Sequence, residues 1–176
     1  MTRLHAAVVI GTRPEAIKLA PVVGELRRRG VRTTVIATGQ HRDLVDPVLA
    51  LFDIRPDQDL HLMRPDAGLN EVLARAIKRI GATLDQVHPD MVLVQGDTTS
   101  AMAGALAAFN LGVPVAHVEA GLRSHDLSLP FPEEMHRRVV SIVARWHFAP
   151  TRHAAQQLRA EGQRDGILVT GNPVVD

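Results

Sequence analysis

Three short polar turns each follow an apolar run, and together they carry the residues best suited to acid–base and anion chemistry. The first is Gly11-Thr12-Arg13-Pro14-Glu15-Ala16-Ile17-Lys18, the second Gly96-Asp97-Thr98-Thr99-Ser100 and the third Glu119-Ala120-Gly121-Leu122-Arg123. The first turn has neither the G-x-G-x-x-G spacing of a dinucleotide fold nor a Walker A pattern, which removes the two commonest nucleotide readings of such a turn. Free backbone amides at a helix start still attract an anion, and Arg13 and Lys18 add charge suited to a phosphate or carboxylate. Arg123 brings a third cation to the same set of turns. Asp97 and Glu119 are carboxylates at the ends of apolar runs. Burial disfavours the charged form of a carboxylate and raises its pKa toward the range that a general acid or base needs near neutrality. A second carboxylate nearby spreads the two protonation states further apart. The structural alternative is that Asp97 caps the next helix and Glu119 pairs with Arg123.

Leu129-Pro130-Phe131-Pro132-Glu133-Glu134 is a stiff approach to a helix whose first turn holds two carboxylates, where acids also complement the helix dipole. The long connection between Arg123 and Pro132 is of the kind that serves a site. Gln40 and His41 follow Gly39 at the end of another apolar run and so belong to the same rim. His117 lies inside an apolar run, where a hydrogen-bonded core histidine is as natural as a ligand. Nine histidines without an H-x-x-x-H spacing give no metal-ligand pattern. The absence of cysteine excludes a disulfide scaffold, a zinc ribbon, an iron–sulfur site and a thiol nucleophile.

Those turns need a frame. Apolar runs at 4–10, 32–37, 91–95, 113–118, 147–149 and 167–170 read as strands, with a further short strand at 59–63. They are apolar on both faces, which fits a covered parallel sheet. Amphipathic stretches at 14–29, 44–52, 69–87, 99–111, 133–145 and 152–161 read as helices. Pro14 suits a first helical position, and Gly30, Gly112 and Gly162 suit helix ends. Strand–helix alternation of this kind predicts an α/β fold, a doubly wound, Rossmann-like parallel sheet. Ligands of such sheets bind beyond the carboxyl ends of the strands, where the three turns lie. A length of 176 residues, 45% of them hydrophobic, supports one domain with its own core. A formal net charge of +1, an aromatic content of 3% and the lack of tyrosine argue against nucleic acid as a partner. Without an apolar run of membrane-spanning length or a signal-peptide pattern, the expected location is the cytoplasm and no membrane partner is expected.

Taken in order, the motifs resemble those of the non-hydrolysing UDP-N-acetylglucosamine 2-epimerases. The matching stretches are 11–18 (GTRPEAIK), 38–42 (TGQHR), 95–99 (QGDTT), 117–123 (HVEAGLR), 130–134 (PFPEE) and 170–176 (TGNPVVD), spread over essentially the whole chain. The resemblance implies the N-terminal half of a two-domain GT-B fold. Residues 1–170 would form the domain and 171–176 the start of an interdomain linker, with the C-terminal UDP-binding domain missing. It also implies interconversion of UDP-N-acetylglucosamine and UDP-N-acetylmannosamine without NAD or another cofactor and without an obligatory metal. UDP would be eliminated to leave a 2-acetamidoglucal, then re-added after C2 has changed face.

Carried over by position, Asp97, Glu119 and Glu133 match the family's catalytic acids, and Arg13 and Lys18 its active-site cations. Gln40 and His41 fall where some bacterial members contact a second, activating UDP-N-acetylglucosamine, although Asp66 stands where those members have a basic residue. His125 occupies a place that is usually small or aromatic, and His136 replaces the asparagine common after the paired glutamates. The expected partners are the nucleotide sugar, the missing domain and a second copy in a homodimer. The expected setting is cell-surface polysaccharide synthesis, and half a cleft should be inactive alone. The alternatives are a non-catalytic nucleotide-sugar-binding or dimerising module, and a hydrolysing relative that releases UDP and N-acetylmannosamine.

Overall fold

The computed structural model describes residues 3–39, 42–64 and 66–175. Among these, the strands are β1 His5–Ile10, β2 Arg32–Ala37, β3 Gln58–Asp59, β4 Met91–Gln95, β5 Val115–Val118, β6 Trp146–Ala149 and β7 Ile167–Val169. The helices are α1 Arg13–Arg28, α2 Arg42–Leu51, α3 Leu69–Val87, α4 Thr99–Asn110, α5 Glu133–Val143 and α6 Arg152–Ala160. All strand pairs are parallel, in the order β3-β2-β1-β4-β5-β6-β7. From β1 the chain winds outward to β3, returns through α3, and winds outward again from β4 to β7. This is the doubly wound sheet that strand–helix alternation predicts. Because the winding reverses between β1 and β4, the loops leaving these two neighbours diverge and open a crevice at their carboxyl ends.

The strands are apolar on both faces because both faces are covered. Ala6, Val8 and Ile10 of β1 join Leu19 and Val23 of α1, Val35 of β2 and Leu93 of β4 in one buried layer. Ala7 and Val9 face the opposite layer with Ile80 and Leu84 of α3, Val92 and Val94 of β4, and Val140 of α5. α4 lies in that second layer and buries Ala101, Ala103, Ala105, Ala107 and Ala108, so its small side chains let it sit close to the central strands. No helix among the described residues is long and apolar enough to cross a membrane.

Two boundaries depart from the apolar pattern. β5 begins at Val115 because Pro114 has no N–H for the ladder, although its carbonyl still accepts from Val92 N–H at 2.9 Å. β3 pairs over only two residues rather than across 59–63. His61 takes a positive φ of 46°, which breaks the extended repeat. Leu60 and Leu62 nevertheless stay buried and donate to the Ala37 and Thr38 carbonyls at 2.8 Å each.

The turn leaving β5 passes directly beneath α6. Gly121 has a φ of +91°, and a Cβ built there would lie 2.3 Å from the Ala154 carbonyl oxygen. Both the backbone conformation and the space therefore demand glycine. Gly121→Ala is expected to cost about 2 kcal/mol or more of unfolding free energy, read by urea denaturation; a loss within experimental error would mean that α6 shifts freely on the sheet.

Candidate active site

The first turn leaves β1 at Gly11, where a Cβ would lie 2.1 Å from Ser100 Oγ and 2.8 Å from Thr38 Oγ1. Glycine thus lets this turn rest against the start of α4. One helical turn later, Glu15 reaches back across the crevice. Its Oε2 accepts from Gly11 N–H at 2.8 Å and Thr12 N–H at 2.5 Å, and its Oε1 accepts the Thr98 hydroxyl at 2.7 Å. The side chain is 1% exposed. Burial raises its carboxyl pKa, and the hydrogen bonds from Thr98, Thr12 and Gly11 oppose that rise. In the sequence Glu15 is marked only by its spacing three residues after Thr12, the signature of a helix N-terminus, and not as a link across the crevice.

Asp97 does not cap α4. Thr98 does, accepting from Ala101 N–H at 3.0 Å. Asp97 instead turns its carboxylate to Arg137 of α5, while its carbonyl accepts from His136 Nδ1 at 2.9 Å. Burial pushes the Asp97 carboxyl up, Arg137 pulls it back, and the negative charges of Glu133 and Glu119 push it up again. The Gly96 carbonyl just before it accepts from His117 Nε2 at 2.8 Å. His117 is thus a core histidine: burial takes its pKa down to about 3, and its Nδ1 is buried without a partner.

Glu119 follows β5 in the left-handed region, with a φ of 63° that non-glycine residues rarely adopt. It pairs with Lys18 rather than Arg123. Lys18 Nζ and Gln95 Nε2 both donate to Oε2, the former at 2.6 Å, and Asn172 Nδ2 donates to Oε1 at 2.7 Å. Arg123 does not reach the rim, contrary to its expected role as a substrate cation. Its guanidinium is buried and donates to Glu161 at 2.7–3.0 Å, to Ser141 Oγ at 2.9 Å and to the Leu122 carbonyl at 2.8 Å. Withdrawn from water, the guanidinium has its charge neutralised internally by Glu161. Arg13 is exposed at the start of α1 and borders a shallow surface depression together with Leu44, Pro47, Val48 and Leu51 of α2.

The paired glutamates have separate jobs. Glu134 is fully buried, accepts from Ser124 N–H at 3.1 Å and from Arg138 at 2.9 Å, and lies 3.6 Å from Arg137. Burial would raise its pKa, but these partners hold it below the usual value. It anchors the long loop to α5. Glu133 is half-buried and lines a cavity of about 250 Å³ with Thr98, Thr99 and His136. Gln40 and His41 lie outside the described residues. The structure therefore gathers Lys18, Asp97, Glu119 and Glu133 at the reversal point. An ion-paired carboxylate, a carboxyl with a raised pKa and a third acid at a cavity wall can exchange protons with a bound ligand. Among the described residues, no group of three or more His, Asp or Glu side chains is arranged to hold a metal ion.

The left-handed φ of Glu119 makes Glu119→Gly more stable than Glu119→Ala by about 0.5–1 kcal/mol, since only glycine relieves the strain; equal unfolding free energies would show that the backbone is unstrained. His117 carries a stability signature of its own. Its folded pKa of about 3 lies below the 6.5 of a free imidazole, so the unfolded chain binds the extra proton between these values. Stability is full above about pH 6.5 and falls by about 1.4 kcal/mol per pH unit below it. Glu15 and Asp97, raised by burial, contribute with the opposite sign, so the diagnostic is a difference. Unfolding free energies of wild type minus His117→Gln should decline on acidification, and parallel profiles would contradict a neutral buried imidazole.

Residues 24–176 match the sequence profile described as UDP-N-acetylglucosamine 2-epimerase. The UDP-N-acetylglucosamine 2-epimerase of Neisseria meningitidis is 47% identical over 175 residues, covering 98% of this chain and 47% of that protein. A crystal structure of the Neisseria meningitidis enzyme bound to UDP-GlcNAc aligns with a TM-score of 0.95 at 45% identity, over 98% of this chain and 47% of that one. The Methanocaldococcus jannaschii UDP-GlcNAc 2-epimerase, in complex with UDP-GlcNAc and UDP, aligns with a TM-score of 0.91 at 35% identity, over 96% and 47% of the two chains. The sheet matches the N-terminal half of these GT-B structures, and the chain spans about half the length of the curated relatives it matches. By sequence profile, by identity and by fold, the chain belongs to the UDP-N-acetylglucosamine 2-epimerase family.

Proposed function

We propose that this domain supplies the acid–base machinery that interconverts UDP-N-acetylglucosamine and UDP-N-acetylmannosamine, while a second domain of the length its relatives carry supplies the nucleotide contacts. The observation that carries this reading is Glu119, held in a strained conformation between Lys18, Gln95 and Asn172 at the crevice where the sheet reverses.

Inverting C2 requires one group to remove its proton and another to return a proton from the opposite face. As the proton leaves C2, the C2–H electron pair forms the C1=C2 bond and the C1–O bond breaks. UDP departs with the electron pair of the broken C1–O bond. Re-addition of UDP to C1 and of a proton to C2 completes the cycle with no net gain or loss of electrons. Positive character on the ring during C1–O cleavage is stabilised by carboxylates, here Glu119, Asp97 and Glu133. Asp97, its pKa raised by burial and by its acidic neighbours and lowered by Arg137, is placed to take up and return a proton. Arg13 and Lys18, at the start of α1, are the cations toward which the departing diphosphate would turn. Arg123 acts as a positioning residue, joining the turn after β5 to α5 and to Glu161 beyond α6.

The test is conversion of UDP-N-acetylglucosamine in D2O, followed by proton NMR. The 176-residue chain alone should not turn over; fused to the C-terminal half of the Neisseria meningitidis relative, it should form UDP-N-acetylmannosamine with deuterium at C2. Asp97→Asn and Glu119→Gln should each lower kcat in the fusion by roughly 10²–10⁴-fold. Arg137 pulls the Asp97 pKa down, so Arg137→Met should move the acid limb of the kcat profile to higher pH; an unmoved limb would remove Asp97 as the titrating group. Free UDP with N-acetylmannosamine as products would replace epimerisation by hydrolysis, and binding without turnover would favour a non-catalytic module.

A further inference from the structure

The cavity beside the acids is a meeting point of helix starts. Thr12 stands at the N-cap position of α1, Leu69 opens α3, Thr98 caps α4, and Pro132 and Glu133 lead into α5. One wall is His136, which is only 5% exposed. Its Nδ1 lies 2.9 Å from the Asp97 carbonyl oxygen. A carbonyl can only accept, so Nδ1 must carry the hydrogen, and in the neutral ring Nε2 is then a bare lone pair. Nε2 makes no hydrogen bond among the described residues. It is not sealed off either, unlike the buried and unpartnered Nδ1 atoms of His117 and His147. It therefore opens onto the cavity.

Helix starts favour anions, but this wall does not. The Nε2 lone pair and the Glu133 carboxylate are both acceptors and would repel a phosphate oxygen at close range. A neutral group with its own O–H or N–H satisfies them both. Resting on the function proposed above, we infer that His136 is a sugar-binding residue: its Nε2 accepts a hydrogen bond from a hydroxyl or the acetamido N–H of the hexosamine, beside Glu133. The Asp97 carbonyl sets the tautomer that makes Nε2 an acceptor, so the histidine links the backbone of one catalytic carboxylate to the ligand. An asparagine at this place could still donate to the Asp97 carbonyl. It would leave the Nε2 position empty.

Long-range proton–nitrogen NMR of the labelled 176-residue chain tests this directly. His136 should show the Nδ1–H tautomer, and its Nε2 resonance should move upfield on addition of UDP-N-acetylglucosamine but not of UDP. His136→Asn should leave the backbone amide signals of Gly96 and Asp97 in place. It should weaken UDP-N-acetylglucosamine by roughly two- to tenfold, the loss of one hydrogen bond, with UDP unaffected. The Nε2–H tautomer, an equal response to UDP, or unchanged affinity in a folded His136→Asn would each overturn the inference while leaving the proposed function standing. If no His136 resonance moves with millimolar UDP-N-acetylglucosamine either in this chain or in the fusion, the inference falls, while the functional reading is judged separately by turnover of the fusion.

Discussion

Where a parallel sheet reverses its winding, the loops leaving the two central strands diverge, and nothing in the strand ladder holds them together. Here Glu15 does so. A single buried carboxylate takes hydrogen bonds from two amides of the turn after β1 and from the hydroxyl that caps α4. Burying it without a cation is unfavourable, and the three donors are what make it tolerable. With that link in place, Gly11 can lie against Ser100. The starts of α1 and α4 then face each other across the crevice, with Lys18 on the second turn of α1 and Asp97 in the tight turn just before the α4 cap.

Around this link the remaining charges are neutralised in distinct ways. Glu119 leans on Lys18, Gln95 and Asn172, whereas Asp97 is drawn to Arg137. Glu134 anchors the long loop to α5, and Arg123 is spent on Glu161 and Ser141. Only some of the charges on the rim are therefore presented to a ligand. The acids still feel one another, since Glu119 and Glu133 both raise the Asp97 pKa. The strained backbone of Glu119 and the buried histidine under Gly96 show local cost accepted in return for placement.

Much of the fold was legible because parallel strands covered on both faces leave a dense apolar signature. The expected helices appear with ends shifted by a residue or two, and the strands lie parallel as the alternation predicts, while their order comes from the structure. β3 was less legible, because an edge strand with few ladder bonds leaves little signal and a positive φ at His61 ends it early. In the site, Lys18, Asp97 and Glu119 could be read from their places after apolar runs. The partner of each could not. Asp97 looked like a cap where Thr98 is one, and Arg123 looked like a partner for Glu119 where Lys18 is. The two neighbouring glutamates of α5 differ in burial only because a helix turns by about 100° per residue. That rotation sends Glu134 under the loop and Glu133 to the cavity.

The sequence by itself determined which residue types stand at the carboxyl end of each strand, because hydrophobic periodicity and turn chemistry are local properties of the chain. Only the tertiary structure decided which of those residues meet. Lys18 and Glu119 are 101 positions apart, and Asp97 and Arg137 are 40 apart. Such pairings depend on how helices sit on a sheet, on which heads remain in water and on where a buried charge finds its donors. No local pattern encodes those distances, so the partners of Glu15, Asp97, Glu119 and Arg123 became visible only in the folded chain.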